Sequence, residues 1–253
     1  MLSSAEIEDY RRDGYVTPEF RLSADWIEAI RGAHDRLVFD RPEFADYCSA
    51  VLAFDTWFLN VARIPEIVEM VCDVLGDDVA LWNSSFFAKP PHVGTRTPWH
   101  QDGEYWPIEP LATCTVWIAI DESTTQNGCL RVIPGSHRDY QPHRLVDRAN
   151  STLNREIDAD AIDDRAAVTI ELEAGQVSLH DIGIVHGSAA NRSGRRRAGL
   201  ALRYMPATSQ VHRKMPNAAA DWDDMPVELV RGVNRNAGTN FDLGEFGRPW
   251  PAA

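Results

Sequence analysis

A change of texture near residue 79 limits the folds open to this chain. Before it the sequence has helical periodicity; after it come short runs rich in β-branched and aromatic residues. Ser3 to Glu6 matches a capping box and Gly14 stops that segment. In "SADWIEAIRGAHDRLVF", Ser23 is an N-cap, and Ile27, Ile30, Ala33 or His34, and Leu37 share a face. "RIPEIVEMVCDVLGDD" carries Pro65 in its first turn and Gly76 past its end, with Ile67, Val68, Val71, Val74 and Leu75 as its stripe. From Val79 on, "VALWNSSFFAKP", "TCTVWIAI", "CLRVIP", "AVTIEL", "QVSLHDI" and "AGLALRYMP" are bounded by Gly, Pro, Asn or Asp. Many short strands with irregular loops predict an antiparallel sandwich, roll or barrel rather than βαβ units. A final helix is expected over "DWDDMPVELVRGV". With no repeat or linker, the expectation is one domain over 1–253: helical 1–78, β-core 79–210, helix and tail 211–253.

Composition closes off several function classes. The formal charge of −13 repels phosphate backbones, so nucleic acid is not an expected partner. No apolar run reaches the roughly 18 residues of a membrane helix. The polar start "MLSSAEIEDYRRDGYV" lacks a signal-peptide core, which points to the cytoplasm. The four cysteines form no CxxC pair and read as reduced, buried thiols.

Two H-x-D triplets stand out, His100–Asp102 and His137–Asp139. In an extended segment, residues i and i+2 face one side and can aim at one ion. His137 follows a Pro-Gly turn signal and reads as a turn histidine. His100 lies among large rings that can wall a dry site. A two-histidine, one-carboxylate facial triad needs a second histidine, and His180 and His186 both qualify. Such a site on iron leaves positions for a 2-oxo acid and dioxygen. The far carboxylate of 2-oxoglutarate then asks for an arginine. Arg195, Arg196 and Arg197 follow the "NRSG" turn, on a strand expected to run back in a hairpin beside the one carrying His186. Alternation turns Arg195 and Arg197 one way and Arg196 the other.

"DGYV", "WHQDGEYWPIEPL", "WIAIDESTTQNGCLRVIPGSH" and "GQVSLHDIGIVHGSAANRSGRRRAGLALRY" together resemble the phytanoyl-CoA dioxygenase family of Fe(II)- and 2-oxoglutarate-dependent oxygenases. The resemblance implies a double-stranded β-helix, a cupin-like jelly roll with flanking helices. It implies His100, Asp102 and His186 as metal ligands and catalytic residues. It assigns Arg197, Ser188 and Trp117 to 2-oxoglutarate, and leaves His180, His137, Arg195 and Arg196 outside the metal site. Halogenating relatives lack the carboxylate; the intact Asp102 favours oxygenation. The implied reaction hydroxylates an unactivated C–H of a small metabolite or natural-product intermediate, consuming O2 and releasing succinate and CO2. Desaturation, epimerisation or cyclisation with the same cofactors is the alternative, and a sensor or other jelly-roll metal protein the non-enzyme one. Tyr105, Trp106, Asn83 and Ser85 are substrate-contact candidates, and Trp57, Phe58 and Trp82 further pocket walls. The C-terminal "NRNAGTNFDLGEFGRPWP" is read as a lid or a tail. Oligomeric state is not legible.

Overall fold

The computed structural model describes residues 1–147, 151–212 and 226–234. The helical stretch runs as α1 (Ser4–Asp13), β1 (Tyr15–Val16), α2 (Ala24–Asp40), β2 (Tyr47–Cys48), the short α3 (Val51–Phe54) and α4 (Leu59–Ala62), and α5 (Pro65–Leu75). Its signals act as expected. Ser3 and Glu6 close a capping box, Gly14 ends α1 in the left-handed region at φ 81°, and the Ser23 side chain accepts from the Trp26 N–H.

The strands that follow are β3 (Val79–Lys89), β4 (Thr97–His100), β5 (Ile108–Glu109), β6 (Cys114–Ala119), β7 (Leu130–Val132), β8 (His143–Leu145), β9 (Arg155–Ile157), β10 (Val168–Ile170), β11 (Val177–Asp181), β12 (His186–Ser188), β13 (Arg197–Pro206), β14 (Gln210–Val211) and β15 (Glu228–Arg231). β15 lies where a final helix was expected. Leu229 and Val230 belong to a short run that pairs along the edge of β3. The rest of that expected helix, and nearly all of the expected lid or tail, lies outside the described residues.

The larger sheet runs β1-β11-β6-β13-β3-β15, with β2 also on β3; the smaller runs β10-β7-β12-β4. Every pairing within them is antiparallel. These two facing sheets make the jelly roll. The helices cover the outer face of the larger sheet. On β13, Ala198, Leu200, Leu202 and Tyr204 enter the core with Ile30 and Leu37 of α2 and Ile67 and Val71 of α5. The alternate residues Arg197, Ala201 and Arg203 face inward to a cavity between the sheets. Burial on both faces explains why "CTVWIA" reads as a continuous apolar run instead of an alternating one.

One expected pairing does not form. β13 pairs with β3 and β6, whereas β12 pairs with β4 and β7 in the other sheet. The "NRSG" turn therefore crosses between sheets and is not a hairpin, as a jelly roll that alternates strands between two layers requires. Trp57 and Phe58 also move from their expected place. They pack into the helix-side core, Phe58 edge-on to Phe86 at 5.7 Å and Trp57 beside Trp26, and do not line the cavity.

Candidate active site

β4 and β12 meet in antiparallel register with His100 directly opposite His186, so both imidazoles project to one face. Their ring centroids lie 4.1 Å apart. Asp102 follows the end of β4, in a 3-10 turn over Asp102–Glu104. Gln101 between them keeps extended backbone, φ −112° and ψ 131°, so Asp102 returns to the side of His100. The Gln101 side chain points away and donates to the carbonyls of Asp139 and Gly183, fastening the turn.

Asp102 Oδ1 lies 3.3 Å from His100 Nε2 and 3.9 Å from His186 Nε2. One donor atom from each residue falls within 4.8 Å of the others, and all three residues are buried. Metal bonds of roughly 2.0–2.2 Å set neighbouring donors about 3 Å apart, so the group closes on an ion with small side-chain movements. His100 Nδ1 sits 2.8 Å from the Pro98 carbonyl and His186 Nδ1 2.9 Å from the Ile184 carbonyl. A proton on each Nδ1 leaves the Nε2 lone pairs free for the metal. Burial, then the neighbouring His100, pushes His186 well below the usual histidine range, which favours the neutral, ligating form. Burial opposes charge on Asp102, but His100, His186 and Arg203 outweigh it and hold the carboxyl well below its usual range.

The cavity around this group is partly open to solvent, with about 460 Å³ of empty space when that open solvent is counted. At one end lie Arg197, Ser188 and Trp117. Arg197 is 3% exposed, stacks 5.5 Å over the Trp117 ring and donates to the Gly128 carbonyl, with Ser188 Oγ 3.4 Å away. Burial lowers its pKa to about 10. Gly199 makes room for Trp117: a Cβ there would stand 2.0 Å from Trp117 Cζ2.

Two cations escaped the sequence reading. Lys89, 4% exposed, lies opposite Arg197 in the β3–β13 register and donates to Ser188 Oγ at 2.7 Å. Burial, then Arg197, pushes its pKa well down. Among the described residues no carboxylate pairs with Lys89 or Arg197. Arg203, 5% exposed, donates to Ser85 Oγ at 2.6 Å, and its Nε faces Asp102 Oδ2 at 3.8 Å. Its even offset from Arg197 along one strand was the available signal.

His180 lines the cavity too, its ring 4.9 Å from that of His186, with its pKa pushed down to about 4 by burial. It is not part of the close donor group. His137 packs against Gly14, away from the cavity. Arg195 and Arg196 pair with Glu122 and Asp121 near the surface. The four substrate-contact candidates do not line the cavity. Tyr105 packs edge-on to His100 at 5.9 Å but spends its hydroxyl on the Arg155 carbonyl. Asn83 and Ser85 sit on β3 opposite Arg203 and Ala201, and Trp106 lies beneath the Arg203 guanidinium at 4.9 Å, with Trp82 behind it. The long Arg203 side chain holds the cavity face that these residues were expected to occupy.

A family model for phytanoyl-CoA dioxygenase matches residues 10–199. The chain belongs to the phytanoyl-CoA dioxygenase family. Fe(II) and 2-oxoglutarate are its cofactors, and the donor set fits the metal. A probable alpha-ketoglutarate-dependent hypophosphite dioxygenase from Stutzerimonas stutzeri is 31% identical over 151 residues, 58% of this chain and 52% of that protein. The L-proline trans-4-hydroxylase of Streptomyces griseoviridis is 28% identical, with 87% of this chain and 93% of that one covered. The chain spans little more than half the length of the first curated relatives it matches. Among solved structures, the apo non-heme monooxygenase ThoJ superposes with a TM-score of 0.76 at 27% identity, covering 94% of this chain and 86% of that one. No helix among the described residues is long and apolar enough to cross a membrane.

Proposed function

We propose that the protein is an Fe(II)- and 2-oxoglutarate-dependent dioxygenase that hydroxylates an unactivated C–H bond of a small molecule. Its chain acts as one catalytic unit, and its free cysteines suit a reducing, cytoplasmic compartment. The observation that carries the reading is a pair of buried cations, Lys89 and Arg197, with no carboxylate among the described residues. Arg197 lines a cavity that also holds the His100–Asp102–His186 group, and Lys89 stands beside it, bonded to the lining residue Ser188. A buried cation without a counter-ion is costly, and a dicarboxylate supplies one. A metal-binding jelly roll without 2-oxoglutarate has no use for this pair.

Each residue then has a defined task. His100, Asp102 and His186 would hold the iron, which when bound would activate O2, the oxidant of the reaction. Arg197 and Lys89 take the far carboxylate of 2-oxoglutarate, Ser188 hydrogen-bonds it, and Trp117 walls its chain. Phe87, Leu130 and Ala201 keep the cavity apolar and limit stray water. The carbocyclase SnoK, 25% identical over 83% of this chain at a TM-score of 0.69, makes ring closure the alternative outcome, and product analysis decides it. Arg197→Ala is expected to raise the 2-oxoglutarate concentration needed for succinate release at least tenfold while iron binding stays within about threefold. An unchanged requirement would remove Arg197 from the cosubstrate site.

A further inference from the structure

Arg203 has no task in that scheme. It is a third buried cation of the cavity, on the far side of the metal group from Arg197. Five residues of β13 lie between the two arginines, so their Cα atoms stand about 20 Å apart on an extended strand at roughly 3.3 Å per residue, and their side chains approach Phe87 from either side. The dioxygenase reading gives the far carboxylate of 2-oxoglutarate to Arg197 and its other end to the metal, so neither assignment uses Arg203.

The guanidinium is held rigidly. Ser85 Oγ accepts from Nη1 at 2.6 Å, Trp106 lies under it at 4.9 Å and Phe87 flanks it at 5.8 Å. Its nearest carboxylate, Asp102 Oδ2 at 3.8 Å, is beyond hydrogen-bond distance and belongs to a metal ligand. Nε is buried with no hydrogen-bond partner among the described residues, and Arg203 lines the cavity. Charge bookkeeping points the same way. Iron(II) and the 2-oxoglutarate dianion cancel. Asp102 is the one carboxylate on the described cavity wall, and it offsets one of Lys89, Arg197 and Arg203. Even with Lys89 neutral, positive charge remains in a site walled by buried residues, and it lies at Arg203. A planar fork fixed between two rings is preorganised for a carboxylate.

We propose that Arg203 docks an anionic group of the primary substrate, which is therefore a small carboxylic acid with an apolar part lying against Phe87 and Leu130. This rests on the dioxygenase reading, and it names the substrate class for the same cavity. Arg203 is a binding residue in this account. If it acted only by steadying Asp102, its removal would weaken metal binding and leave anion selectivity untouched.

The test uses full-length protein loaded anaerobically with Fe(II) and 2-oxoglutarate, titrated with benzoate and hexanoate and with their neutral amides, and read by perturbation of the visible chelate band. Wild type is expected to respond saturably to at least one acid and at least tenfold more weakly to its amide. Arg203→Met should form the chelate band at 2-oxoglutarate concentrations within about threefold of wild type and lose at least tenfold in acid affinity. Arg203→Lys, which keeps the charge, should lose less. Equal binding of acids and amides, wild-type acid affinity in Arg203→Met, or no response of wild type to either acid overturns the proposal. Loss of the chelate band itself in Arg203→Met also overturns it, because Arg203 would then act through Asp102. A wild-type protein with no chelate band contradicts the dioxygenase reading instead; calorimetry of benzoate binding to metal-free wild type and Arg203→Met then decides the role of Arg203 separately.

Discussion

At the scale of single residues, two histidines from one short stretch separate cleanly. His180 on β11 and His186 on β12 both reach the cavity, but His186 alone stands opposite His100 across paired strands. His186→Ala should abolish iron-dependent succinate release, whereas His180→Ala should keep at least a third of it; equal losses would sink the ligand assignment. Gly199 offers a second test. With its Cβ position 2.0 Å from the Trp117 ring, Gly199→Ala must displace that ring from beside Arg197. The expected result is a roughly tenfold higher KM for 2-oxoglutarate and a destabilisation of about 1–3 kcal/mol, typical of overpacking, measured by steady-state kinetics and urea unfolding. A KM equal to wild type would mean that Trp117 does not border the cosubstrate. The metal group was legible at this scale because its residues sit in short, specific motifs. Lys89 and Arg203 were not, because the strands that bury them come from about 100 residues away in sequence.

At the scale of elements, helix ends were the most legible feature, since caps are local chemistry: Ser3 with Glu6, Ser23, Pro65 and Gly76 all sit at the ends they signal. Strand partners were less so. The "NRSG" turn looks like a hairpin locally, and only the packing of two sheets sends β13 away from β12. Helix α2 carries a liability of its own. His34 is 2% exposed, stacks on Phe86 with centroids 4.1 Å apart, and neither ring nitrogen has a hydrogen-bond partner among the described residues. Burial, then the charge of Arg196, lowers its pKa to about 4, below the unfolded value of 6.5. The folded state therefore binds fewer protons than the unfolded one. The contribution is fully present above pH 6.5 and is lost as the pH falls toward 4, by up to about 1.4 kcal/mol per pH unit. His34→Leu should flatten the fall in stability over that window relative to wild type, as chemical denaturation at successive pH values would reveal; parallel curves would refute it.

At the scale of the whole molecule, a chain of net formal charge −13 carries a cavity lined by cations. The overall sign discourages polyanions, while the cavity selects small anions that fit inside it. The jelly roll supplies the frame: helices bury one face of the larger sheet, which frees its other face to carry Arg197, Ala201 and Arg203 in a row. This layering was legible as a class from strand length and turn residues. The position of β15 was not, because a short apolar run of its kind suits a helix or an edge strand, and only the free edge of β3 decides between them.

The central claim is that His100, Asp102 and His186 assemble one iron site that receives 2-oxoglutarate from Arg197 and Lys89. The most direct measurement is an anaerobic titration of metal-free protein with Fe(II) and then 2-oxoglutarate, following the visible metal-to-ligand charge-transfer band. The account predicts a band that saturates at one equivalent of iron, vanishes with His100→Ala, and needs at least tenfold more 2-oxoglutarate with Arg197→Ala. Folded wild-type protein that binds iron yet develops no band on adding 2-oxoglutarate would contradict it.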